Sequence, residues 1–285
     1  LARRILDKES RRGLDPNGGD NNDREVTMTE PTQSFNNIAP LANVVRLQTL
    51  AVRLQGRAHG LPGIGCLYSP AGYGKTTAGI YVTNSMNACH IQALPFGGTK
   101  GLLSMIVAEL GERPARSVSD LFAQAVTRLQ RTGRILIIDE ADQILTDRTI
   151  EMLRLLHDTT EVPLILMGEE LLPQKLRQWE RVHSRILSWV AAEPASIEDV
   201  GFLAQIYAPR TAISDDLKAA VLAASRGSIR NASTNLAYIS ELAVSKGVAK
   251  LTLADWGGKA FHTGEAPSAR HPLGAVTTRS RRTAA

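Results

Sequence analysis

The stretch SPAGYGKTT at residues 69–77 constrains this chain more than any other feature, because of what flanks it. The apolar run IGCLYS (64–69) leads into it, and a helical pattern over 75–87 follows. A glycine-rich turn between strand and helix can point backbone N–H groups inward, with a helix N-terminus beyond; together these suit a phosphate. Gly72 and Gly74 supply the turn, Lys75 can reach the β- and γ-phosphates of a nucleotide, and Thr76 can place its hydroxyl on Mg²⁺, as in a P-loop. Ser69 stands where G-x-x-x-x-G-K-[ST] usually begins with glycine. That departure is mild, since the inner glycines and the Lys-Thr pair make the closest contacts. The expected nucleotide-binding residues are Ser69, Pro70, Ala71, Gly72, Tyr73, Gly74, Lys75, Thr76 and Thr77. The bland alternative is a chance glycine-rich turn.

A second signal is RILIIDE (134–140), a fully apolar run of the kind buried in a parallel sheet, ending in Asp139 and Glu140. At the carboxyl edge of such a sheet, side chains face the crevice where ligands bind. Asp139 can hold the shell of a Mg²⁺ ion through water, and Glu140 can polarise an attacking water. A buried strand followed by a helix cap would use one acid and leave the pair unexplained.

Strand and helix signals alternate through the middle of the chain. Helices are expected at 41–58, 75–87, 99–111, 118–132 and 147–160, and strands at 64–69, 88–94, 134–140, 162–168 and 187–190. Ser117 with Asp120 three residues later opens the fourth helix, and Gly133 stops it. After Pro194 the strands are expected to stop, leaving helices at 196–208 (capped by Ser196), 214–225 (capped by Ser214), 229–246 and 252–260. The fold class is therefore α/β, a parallel sheet flanked by helices, followed by a small all-helical domain. Expected boundaries are a disordered leader at 1–34, the α/β core at 35–193, the helical domain at 194–260 and a flexible basic tail at 261–285, where Arg279, Arg281 and Arg282 cluster.

Composition removes several classes. Of 285 residues, 43% are hydrophobic, enough for a core without disulfides or a structural metal. Two cysteines, Cys66 and Cys89, are too few for a disulfide framework, and the six histidines show no metal spacing. No apolar run reaches membrane-spanning length, and the expected location is a reduced cytoplasm. A net charge of +5 permits a polyanionic partner, while 5% aromatic residues argue for contacts to phosphates rather than stacked bases.

Two arginine motifs complete a pattern: RVHSRI (181–186) before the helical domain and GSIRNA (227–232) within it. In this order, a P-loop, a D-E strand end, an S-R-I arginine and a G-x-x-R arginine resemble the AAA+ ATPases. The resemblance implies a P-loop AAA+ core with a helical lid, and ATP and Mg²⁺ as cofactors. It implies Arg185 as a finger reaching the ATP of a neighbouring subunit, with Arg181 its rival, and Arg230 as sensor 2. Glu169, in GEE (168–170), is the positional candidate for a polar sensor; the simpler reading is a helix N-terminus stabilised by Glu169 and Glu170.

The stretch IIDEADQILTDRTIEMLRLLHDTTEVPLILMGEELLPQKL, followed by SRI, is similar to the phage Mu B (MuB) transposition-protein family, with its target-selecting and ExeA-type relatives. There Leu153, Arg154, His157 and Asp158 precede the strand from Val162 to Gly168. The opening FNNIAPLANVVRL resembles that family's adenine-packing segment, making Ile38 and Val44 pocket candidates, with ordinary core packing as their alternative. The resemblance implies an ATPase that forms a homo-oligomer or helical filament on duplex DNA and directs that DNA to a transposase. Alternatives are an ExeA-like nucleotide-controlled assembly switch and a helicase-loader type of ATPase. Lys100, in the GGTKG loop, leads the DNA-contact candidates, followed by Arg113, Arg116 and Arg148; each is otherwise a solvated surface charge.

Overall fold

Leu136 and Ile138 are buried in one hydrophobic cluster, Ile135 and Ile137 in another. A strand buries consecutive residues in this way only when both faces of its sheet are covered. In the computed structural model, which describes residues 41–265, five strands form one sheet: β1 (Ile64–Tyr68), β2 (Cys89–Gln92), β3 (Leu136–Asp139), β4 (Leu164–Gly168) and β5 (Ile186–Ala191). Their order is β2-β3-β4-β1-β5, with every pairing parallel. The chain leaves β1 for one edge of the sheet and later returns to β5 on the other side of β1. The carboxyl end of β1 thus lies near a switch in connection direction, where open α/β sheets bind ligands.

Helices α1 (Ala42–Gln55) and α2 (Lys75–Met86) supply residues to the cluster containing Ile135 and Ile137. Helices α3 (Gly98–Glu109), α4 (Val118–Thr132) and α5 (Asp147–Thr160) supply the other. Between β4 and β5 lie two short helices, α6 (Leu172–Leu176) and α7 (Glu180–His183). The C-terminal part is helical: α8 (Ile197–Tyr207), α9 (Asp215–Ser225), α10 (Ile229–Lys246) and α11 (Leu253–Trp256). Val200, Leu203, Leu217 and Leu236 belong to the same cluster as α1 and α2, so this part shares one continuous core with a face of the sheet.

Local caps explain several boundaries. The Ser117 hydroxyl accepts from the Asp120 amide (3.1 Å) to open α4, and Gly133 ends that helix in a left-handed turn (φ 61°). Ser196 and Asp199 form a reciprocal capping box on α8. Asp199 also accepts from the Ala42 amide (2.9 Å), so one carboxylate caps two helices 157 residues apart.

Four expectations need correction. Strands do not stop at Pro194: β6 (Ala212–Ile213) and β7 (Lys250–Leu251) pair in parallel, a bridge too short to carry any period. Ser214 occupies the N-cap of α9 but makes no cap bond, because its hydroxyl donates to Asp216 instead. The last helix covers only Leu253–Trp256, ended by left-handed Gly257. Glu169 and Glu170 precede α6 rather than occupying its first turn, which holds no acid. The expected leader, Ile38 and the arginines at 279, 281 and 282 lie outside the described residues. Trp256 is buried, whereas Trp179 and Trp189 are half-buried. No helix among the described residues is long and apolar enough to cross a membrane.

Candidate nucleotide site

Gly72 and Gly74 both adopt left-handed backbone (φ 84° and 83°), the conformation glycine permits without strain. They turn the chain from β1 into α2, whose first residues are Lys75 and Thr76. The loop is gripped from two sides. From α1, the buried amide of Asn43 donates to the carbonyls of Tyr73 (2.9 Å) and Glu193 (2.8 Å) and accepts from the Glu193 amide (2.8 Å). From α10, the Arg230 amide donates to the Gly72 carbonyl (3.2 Å). A Cβ on Gly72 would stand 2.6 Å from the Ser228 hydroxyl, so this glycine also allows close approach.

Lys75 folds over the loop, its Nζ donating to the Ser69 carbonyl (3.0 Å), the Ser69 hydroxyl (3.1 Å) and the Pro70 carbonyl (3.0 Å). Burial lowers its pKa from the ordinary lysine value, partly offset by the carboxylates of Asp139, Glu140, Asp142 and Glu169. Across from it, the Thr76 hydroxyl donates to Asp139 Oδ2 (2.7 Å), and the Glu140 amide donates to Asp139 Oδ1 (2.9 Å). Asp139 is 1% exposed. Burial alone would raise its pKa; His90, Thr76 and the Glu140 amide more than offset this and hold it below the usual aspartate value. An ionised carboxylate therefore stands beside the Thr76 hydroxyl.

Glu140 has φ 56°, a left-handed conformation costing a non-glycine residue about 1–2 kcal/mol. This kink ends β3 and brings Glu140 to the wall of the cleft, where Gln143 Nε2 donates to its Oε2 (3.0 Å). Glu169 reaches the same cleft, and its amide donates to Asp142 Oδ1 (3.0 Å). The cleft, of about 520 Å³, is lined by Ala71, Gly72, Gly74, Lys75, Thr76, Thr77, Glu140, Glu169 and Arg230, together with Tyr207, Ser233, Thr234 and Tyr238. The first nine are expected from the sequence; Tyr207, Ser233, Thr234 and Tyr238 are not, nor are Ile229 and Ala237, which also line the cleft. Ser233, Thr234 and Tyr238 lie on α10 and Tyr207 ends α8; a helical stripe is the only sequence signal they carry, and any packed helix has one.

Other expected residues lie elsewhere. Ser69 and Tyr73 support the loop through hydrogen bonds without lining the cleft, and Pro70 contributes a carbonyl to Lys75. Val44 is buried in the core and does not line the cleft. Arg185 is at the opposite edge of the sheet: its carbonyl accepts from Ile64, the first residue of β1, whereas the P-loop follows the last. Its Nε donates to Asp158 Oδ1 (2.6 Å) and its Nη1 to the Arg181 carbonyl (2.7 Å). Arg181 is 80% exposed and lies near Glu151 (3.9 Å). Neither arginine can serve its own P-loop. Lys100 and Arg148 flank one groove between α3, α4 and α5, lined also by Val118, Phe122, Met152 and Leu155. Arg113 and Arg116 are exposed in the α3–α4 connection, outside that groove. Among the described residues no cluster of His, Cys, Asp or Glu could by itself hold a metal.

A family model described as an AAA domain matches residues 58–176. No curated protein matches the chain. Among solved structures, the chain is similar to Aeropyrum pernix Orc1, solved in complex with DNA (TM-score 0.55, 20% identity, covering 74% of this chain and 61% of that one). It is similar to Cdc6p from Pyrobaculum aerophilum (TM-score 0.56, 17% identity, 73% and 62% covered). It also resembles Thermotoga maritima RuvB, a Holliday junction branch migration motor (TM-score 0.51, 18% identity, 73% and 64% covered). At these identities the likeness is one of fold, and the chain spans less than two thirds of each of those proteins. The described chain thus has the fold of a P-loop AAA+ core followed by a helical part, with residues 58–176 matching the AAA domain family.

Proposed function

We propose that this chain is a cytoplasmic ATPase that assembles as a homo-oligomer or filament on duplex DNA and directs that DNA to a transposase. The observation that carries the nucleotide part is the convergence of the P-loop, Glu140 and Arg230 on one cleft, with Asp139 bonded to Thr76 directly behind its wall. On this reading residues 35–193 form the ATPase core and 194–260 its lid.

The donor set fits Mg²⁺: a threonine hydroxyl and an ionised aspartate, both hard oxygens, stand 2.7 Å apart at the start of α2. Bound there with ATP, Mg²⁺ would neutralise charge on the phosphate oxygens. Lys75 would exchange its loop carbonyls for β- and γ-phosphate oxygens, and the amides after Gly72 would donate to the same groups. Glu140, released from Gln143, would accept a hydrogen bond from the attacking water and orient it. Arg230 would place a guanidinium at the γ-phosphate from the helical side, and Arg185 would do so for the next subunit. Ile38 would pack near the adenine, with Val44 behind it in the core. Glu140→Gln should bind ATP while losing turnover; brisk hydrolysis by that variant would reject the assignment.

The DNA part is supported by the resemblance of residues 135–186 to transposition ATPases, and by structural similarity to an Orc1 solved with DNA. Lys100 and Arg148, which line one groove, are favoured contacts over Arg113 and Arg116. Duplex binding measured with ATP at two salt concentrations tests this. Affinity should fall steeply with salt, and Lys100→Ala and Arg148→Ala should each reduce the slope by about one. One observation favours a second reading, the ExeA-like assembly switch: Val118, Phe122, Met152 and Leu155 make that groove largely apolar, a surface suited to protein. Absence of ATP-dependent duplex binding would select that switch.

A further inference from the structure

Gly79 is an unfavourable residue for the interior of α2, where glycine is a poorer helix former than alanine. No turn requires it. A Cβ at this position would stand 3.0 Å from both Cε1 and Nε2 of His90, and 2.9 Å from Met167 Cε. The glycine therefore makes room for the His90 ring against α2, one helical turn beyond Thr76. His90 comes from β2, which pairs with β3, and its side chain is only 12% exposed. Its Nε2 is buried without a hydrogen-bond partner, an arrangement that a folded chain normally avoids. That nitrogen is 3.8 Å from Asp139 Oδ2, the oxygen that also accepts from Thr76.

Two donors already fix the Asp139 carboxylate, one on each oxygen. A third group held just beyond bonding distance, at the expense of a helical glycine and an unpaired imidazole nitrogen, needs a reason that packing does not provide. We propose that His90 is a positioning residue for Asp139: its Nε2–H closes onto Oδ2 and locks the carboxylate in the orientation that Mg²⁺ and nucleotide require. His90 touches neither the nucleotide nor the ion and acts through Asp139 alone. Partners behind a metal site typically change metal affinity by about 10- to 100-fold when removed. The proposal rests on the nucleotide reading above.

The test uses the full chain and a fluorescent ADP analogue, titrated in EDTA and then with Mg²⁺, for the parent, His90→Leu and His90→Gln. Glutamine keeps an N–H near the Nε2 position; leucine removes it while filling similar space. His90→Leu should weaken the Mg²⁺ dependence about 10- to 100-fold with EDTA affinity unchanged, and His90→Gln should recover most of the loss. Unchanged Mg²⁺ affinity in His90→Leu would overturn the proposal. So would equal losses in both variants, which would mean that the ring only packs. A second readout needs no variant: ¹⁵N spectra of the parent imidazole should show the proton on Nε2 in the Mg²⁺–nucleotide complex, and a bare Nε2 there contradicts the role. A parent that takes up no nucleotide in either condition would remove the nucleotide reading itself, and this proposal with it.

Discussion

Asn43 holds Tyr73: the side-chain amide at the start of α1 donates to the P-loop carbonyl at 2.9 Å, while bonding both backbone groups of Glu193. One buried side chain therefore joins α1, the P-loop and the connection from β5 to the helical part. Asn43→Ala removes three hydrogen bonds to part-buried backbone groups, and at a net of about 0.5–1.5 kcal/mol for each the loss should be about 1.5–4.5 kcal/mol. Urea unfolding should show it, and nucleotide affinity should fall with it. A variant as stable as the parent would mean that water replaces the amide at no cost.

Gly72→Ala combines two penalties. Its φ of 84° disfavours any side chain, and the new methyl would meet the Ser228 hydroxyl at 2.6 Å. The backbone cost is about 1–3 kcal/mol, and relief of the clash turns the Ser228 hydroxyl away from the Asn231 amide that it caps or shifts the start of α10. Thermal melts should show lower stability, and nucleotide binding should drop more than stability alone explains. Gly98→Ala is the control, with positive φ (51°) but no atom within 4 Å. It should cost stability yet leave nucleotide affinity intact.

The thiols should be silent. Burial pushes the Cys66 pKa far up, and burial, offset in part by Arg134, pushes Cys89 up to about 12. As both folded values exceed the unfolded one, the folded chain keeps its protons while the unfolded chain ionises. Stability is therefore unaffected below the ordinary thiol value of 9.0 and falls as pH rises through it. A disulfide-exchange reagent at pH 8 should label neither cysteine until denaturant unfolds the chain. Fast labelling of the native protein would show that the sheet opens around β1 and β2.

Arg185 and Asp158 form an ion pair at the edge of the sheet opposite the P-loop. Arg185→Ala should leave ATP affinity of the isolated chain unaltered and reduce assembly-stimulated hydrolysis roughly 10³-fold. Steady-state rates across a protein concentration series separate the two effects. If Arg181→Ala alone gives that loss, the finger is Arg181.

What was legible in the sequence is what local chemistry decides. The P-loop glycines, the Lys75–Thr76 pair, the acids ending β3 and the Ser117 and Ser196 caps all declare themselves within ten residues. Asn43, His90 and Ser228 were illegible because their roles depend on partners far along the chain or on a neighbouring strand. Ser214 misled because its hydroxyl has a closer acceptor in Asp216, a competition that sequence pattern does not rank. The β6–β7 pair is two residues long on each side and carries no alternation. Arg185 was legible as a motif; its distance from its own P-loop came only with the register of β1 and β5.

The central claim is that the cleft over Lys75, Thr76 and Asp139 takes a nucleoside triphosphate with Mg²⁺. Calorimetric titration of the folded chain with a non-hydrolysable ATP analogue and Mg²⁺ tests it most directly. Saturable uptake near one per chain, lost in a folded Lys75→Ala variant, is the expected result. No uptake by the parent, or equal uptake by both proteins, would contradict it.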